Sequence, residues 1–60
     1  MSNAYVIEAA EISAGIVIRE RAGFRFFTAS PRFDRFDGYV FKTIRAAQRA
    51  AEELLLQPGA

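Results

Sequence analysis

Phe24-Arg25-Phe26-Phe27-Thr28-Ala29-Ser30-Pro31-Arg32-Phe33-Asp34-Arg35-Phe36-Asp37-Gly38-Tyr39-Val40-Phe41 holds all six phenylalanines of a 60-residue chain. A chain this short hides only about 60% of the surface it exposes when unfolded. Its large apolar groups are therefore needed inside, and this stretch must supply most of the core. Alternation over 24–29 predicts a strand with Phe24, Phe26 and Thr28 on one side and Arg25, Phe27 and Ala29 on the other. Ser30-Pro31 has the form of a helix start, with Ser30 as N-cap and Pro31 at the first helical position. Asp37-Gly38 stops the helix after a turn or so, at 31–36. Phe33 and Phe36 are three residues apart, so both reach the same side. Residues 39–41 are short and extended.

Upstream, Arg21-Ala22-Gly23 supplies a turn in which Gly23 tolerates positive φ. Residues 13–20 form a strand rich in β-branched side chains. Its even positions, with Ile12 before them, are uniformly apolar (Ile12, Ala14, Ile16, Ile18), whereas Ser13, Gly15, Val17 and Arg19 are mixed. That pattern predicts the even positions on the core. Residues 4–10 form another strand, with Tyr5, Ile7 and Ala9 on one side and Val6 and Glu8 on the other. Ala10-Glu11-Ile12 must turn between these strands without Gly, Pro, Asn or Asp.

Downstream, Thr43 is the expected N-cap of a helix over 44–56. Ile44, Ala47, Ala51, Leu54 and Leu55 form its apolar stripe, with Arg45, Gln48, Arg49, Glu52 and Glu53 opposite and Arg49 spaced to pair with Glu53. Small alanines in mid-stripe let the helix approach the sheet closely. Residues 57–60 form a tail. The fold class is α+β, one domain over 1–60: a three-stranded antiparallel sheet, with a short fourth extended segment at 39–41, packed against one C-terminal helix.

The chain has no cysteine and no histidine. Disulfides and thiolate metal sites are excluded, and so are the usual neutral-pH general base and the most nucleophilic side chain. No serine has a base at a recognisable spacing, and no cofactor or metal site is expected. Asp34 and Asp37 sit beside a glycine, where turn chemistry is the ordinary use of aspartate. These absences predict a protein that is not an enzyme. No apolar run is long enough to span a membrane and no signal peptide is visible, so a cytoplasmic location is expected.

Net charge is +1, but seven basic and three acidic groups lie within residues 19–45. One helix covers one face of a sheet. The other face has nothing in the chain to bury it, and alternation assigns to it Val6, Val17, Arg19, Arg25 and Phe27, with Glu8. Exposed Phe and Val rimmed by charge mark an interaction surface. The expected partner is a protein, a second copy of the chain included. The alternative is nucleic acid, with Phe27 stacking a base and Arg19 and Arg25 neutralising phosphates.

Gly38-Tyr39-Val40-Phe41-Lys42, followed by Ala46-Ala47, resembles the Gly-Tyr-x-x-Lys stretch leading into an Ala-rich helix in small bacterial strand-strand-strand-helix modules of the YegP-like kind. The resemblance covers the C-terminal third. Three strands on a helix is also the layout of plant AP2-type and phage integrase arm-binding domains, which implies DNA contact through the open sheet face. This chain has neither a tryptophan nor a dense arginine ladder.

Overall fold

The computed structural model describes residues 3–56, so the 57–60 tail lies outside the described residues. The elements are β1 (Ala4–Ala9), β2 (Ile12–Glu20), β3 (Gly23–Thr28), a 3-10 turn (Pro31–Phe36), β4 (Val40–Phe41) and helix α1 (Ile44–Leu56). The sheet is an antiparallel meander in the order β1-β2-β3-β4. The extended segment after the 3-10 turn thus joins as a fourth strand, its Phe41 opposite Phe24. Helix α1 lies across one face and packs chiefly on β1.

Each boundary has a local cause. Thr43 caps α1, its hydroxyl accepting from the Ala46 N–H at 3.0 Å. Ser30 caps the 3-10 turn by accepting from Arg32 N–H, and Pro31 follows it. Beyond β4, the edge of β3 is closed by other bonds. Phe26 N–H donates to the Tyr39 carbonyl, Gly38 N–H donates to the Phe26 carbonyl, and Thr28 N–H donates to Asp37 Oδ1. The Asp37 carboxylate therefore terminates a strand.

The β1–β2 hairpin turns through Ala10 and Glu11, both at positive φ (52° and 66°), between the paired residues Ala9 and Ile12. This is the backbone of a two-residue hairpin turn that ordinarily selects Asn-Gly. Here two ordinary L-residues adopt it, at a cost of about 1–2 kcal/mol each.

The buried core is Ile7, Ala9, Ala14, Val17, Phe26, Phe33, Phe41, Ala47 and Ala51. Phe26, Phe36 and Phe41 form a triangle of edge-to-face contacts with centroids 5.9–6.2 Å apart. Such pairs contribute beyond their buried area. Ala47 and Ala51 provide the close approach expected of them, and Ile44, Leu54 and Leu55 pack around them. Two expectations for α1 are corrected. Arg49 does not pair with Glu53. Gln48, placed on the solvent side by periodicity, is half-buried and donates to both Glu52 and the Glu8 carbonyl, tying α1 to β1.

The larger correction concerns β2. Its register against β1 slips between Ile7 and Glu8: Ile7 faces Gly15, Glu8 faces Ser13, and Ala14 is the extra residue of a β-bulge. Ile12 and Ala14 lie on the helix side, as even positions should. Beyond the bulge the parity reverses, so Gly15, Val17 and Arg19 take that side. Val17 is fully buried against Phe26, and Ile16 and Ile18 pass to the other face. Gly15 makes the close approach possible. It sits at φ +157°, and a Cβ there would be driven into the Phe27 carbonyl and lie 3.0 Å from the Phe26 ring.

Candidate interaction face

The open face is built from the residues of β1–β4 that point away from α1. Register fixes two rows. Val6, Ile16 and Phe27 are direct cross-strand neighbours on β1, β2 and β3. Ala4, Ile18, Arg25 and Val40 form the next row, across all four strands. Cross-strand neighbours on one face stand about 4.5–5.5 Å apart at Cβ, so each row is continuous. Val6 is 64% exposed and Phe27 41% exposed. Ile16, Ile18 and Val40 are half-buried, shielded by their neighbours on the same face.

Of the five residues assigned to this face by alternation, the structure brings together Val6, Arg25 and Phe27. Val17 is not among them, because the bulge turns it into the core. Arg19 is also displaced: it stands opposite Phe24 on the helix side, near the edge-to-face pair of Tyr5 and Phe24 (centroids 6.1 Å apart). Ile16 and Ile18 replace them. The exchange removes a cation and, with Val17 lost and two isoleucines gained, adds one aliphatic side chain. The missed signal was Gly15, since an isolated glycine within a strand marks a bulge or a close backbone approach.

Arg25 is held at both ends of its guanidinium. Nε donates to Glu20 Oε2 at 2.9 Å and Nη1 donates to the Gly38 carbonyl at 2.8 Å. The hydrogen bond and the charge of Glu20 push the Arg25 pKa further above its ordinary value. The cation is thereby paired within the fold, and it stands inside the second row, between Ile18 and Val40. Glu8, at the far corner of β1, is the other charge on this face.

A second depression lies between the 3-10 turn and α1, lined by Arg35, Phe36, Ala50, Glu53 and Leu54, with a volume of about 210 Å³. It is open and shallow, smaller than the roughly 300–1,000 Å³ of ordinary ligand pockets. Among the described residues no three acidic side chains gather to hold a metal ion. No helix among them is long and apolar enough to cross a membrane.

No family model, no curated protein and no solved structure matches this chain.

Proposed function

We propose that this chain is a small, non-enzymatic interaction module of the cytoplasm that binds protein through the open face of its sheet. The observation that carries this proposal is the uncharged row Val6–Ile16–Phe27, lying beside an arginine already paired with Glu20. An uncharged apolar row beside a paired charge fits the anatomy of a protein–protein interface, in which the core is depleted of charge. The nucleic-acid alternative needs Arg19, Arg25 and Phe27 on one face. Arg19 faces the other way and Arg25 is engaged, which leaves Phe27 without free cations beside it.

The test is site-specific photo-crosslinking in cells that express the chain. A benzophenone amino acid replaces Phe27 in one variant and Glu52, on the exposed side of α1, in another. A protein adduct through position 27 and none through position 52 is the expected result. An adduct to nucleic acid, or no adduct at position 27, overturns the proposal.

A further inference from the structure

We infer that the end of the molecule carrying the β2–β3 turn binds single-stranded nucleic acid on the helix side of the sheet, a surface separate from the open face. Strand register gathers the site. Arg19 stands directly opposite Phe24, and Phe24 opposite Phe41. On the other side of Arg19 the Asn3 carbonyl accepts from the Arg19 N–H. Tyr5, two residues on, is then the diagonal neighbour of Arg19, and its ring meets Phe24 edge to face. The Tyr39 ring lies against Phe41, centroids 4.7 Å apart, and is 57% exposed. Arg21 lies in the β2–β3 turn, Lys42 follows Phe41 at the same end, and Arg45 stands in the first turn of α1. Arg19, Arg21, Lys42 and Arg45 are all exposed, and among the described residues none of them meets a carboxylate. Glu20, at this end, is already engaged by Arg25. Glu8 and Glu11 belong to the opposite hairpin, and Glu52 and Glu53 lie more than two turns further along α1.

Four unpaired cations around exposed rings divide the work of single-strand recognition: ring faces stack bases of any identity, and cations neutralise phosphates. Other anionic partners use only part of this surface. A duplex keeps its base faces inside its own stack, which leaves the rings without a role. An acidic peptide satisfies the cations and does not need the rings. An anionic membrane is held by apolar side chains that insert into it, whereas Phe24 and Phe41 are packed into the sheet and Tyr5 and Tyr39 rest on them. The bulge in β2 builds the site, because it turns Arg19 from the open face to the side of Tyr5 and Phe24.

Fluorescence anisotropy of the full chain with labelled mixed-sequence oligonucleotides of about 12 nucleotides tests this. The probes are single-stranded DNA, the same sequence as RNA, and the DNA duplex. Vesicles of anionic phospholipid are tested beside them by co-sedimentation. Either single strand should bind with a dissociation constant of about 1–100 μM at low salt, and more tightly than the duplex. Neutralising three or four phosphates should give a slope of log affinity against log salt of about −2 to −3. Arg19→Glu should weaken binding about tenfold or more. Arg49→Glu, the same charge change on the exposed side of α1, should weaken it far less. Tyr5→Leu, which keeps an apolar contact with Phe24 and removes a ring face, should also cost about tenfold. All three variants should keep the parent far-UV circular dichroism, which shows that they fold. No binding of either single strand at about 500 μM protein overturns the inference. So does a duplex bound at least as tightly, an equal effect of Arg19→Glu and Arg49→Glu, indifference to Tyr5→Leu, or binding to vesicles alone. The photo-crosslink at position 27 reads the other face, so failure here leaves the protein-binding role standing, and failure there leaves this site standing.

Discussion

The two faces of one sheet are built from the same three long strands and differ in almost every physical respect. On the helix side, Phe26 and Phe33 are fully buried, and Phe36 and Phe41 lock edge-to-face around Phe26. On the open side Phe27 is the only ring of the three strands, and Val6 is mostly exposed. Phe26 and Phe27 are adjacent in sequence and have opposite fates. A strand offers each face every second residue, and α1 covers only one face. What assigns a residue of β2 to core or surface is then a single extra residue, Ala14. The bulge buries Val17 and turns Ile16 and Ile18 outward, and so makes the open face apolar where alternation alone would have made it basic.

The largest effect that could break this contrast is at Phe26. Phe26→Ala should destabilise by about 3–5 kcal/mol, a large share of what a 60-residue chain possesses. Phe27→Ser, measured in dilute protein, should cost under about 1 kcal/mol. Urea denaturation of the two variants checks the difference, and equal midpoints would mean that the faces are not distinct.

Gly15→Ala should follow in size. Its methyl group would collide with strand backbone and press on the Phe26 ring, an overpacking that costs about 1–3 kcal/mol. Calorimetric melting measures this loss, and a melting temperature equal to the parent's would remove the close packing that the bulge is held to serve.

The smallest effect has the opposite sign. Ala10→Asn with Glu11→Gly gives the first hairpin residues suited to positive φ, and should stabilise by about 1 kcal/mol. A melting temperature raised by several degrees is expected. A fall would show that the turn is not of the geometry described.

The parts of this fold that were legible in the sequence are those with an unambiguous period or a punctuating residue. Thr43 and the spacing of Ile44, Ala47, Ala51, Leu54 and Leu55 mark where α1 begins and which of its sides faces the sheet. Ser30-Pro31 and Asp37-Gly38 bracket the 3-10 turn, and alternation of Phe and Arg sets the phase of β3. In β2 the signal fails for a physical reason: Ile16, Val17 and Ile18 are three consecutive β-branched residues, so no polar neighbour marks which of them faces water. Ala14, the extra residue, and Gly15 are both small, so the bulge leaves no trace in the hydrophobic pattern and only the isolated glycine marks it. Three of the five residues assigned to the open face were therefore placed correctly, on β1 and β3, and the two on β2 were inverted together. The tether of Arg25 to Glu20 and Gly38 is a tertiary arrangement across strands, which no local spacing announces.

The inversion of β2 is the central claim, because it decides both where the core lies and what the open face can bind. The most direct test is to compare Val17→Ser with Ile16→Ser in dilute protein by urea denaturation. A polar hydroxyl replacing a fully buried Val should cost about 2–4 kcal/mol, whereas the same change at Ile16, on the uncovered face, should cost about half of that or less. If Ile16→Ser is the more damaging of the two, the bulge does not reverse the strand, Val17 belongs to the open face, and the apolar interaction surface described above does not exist.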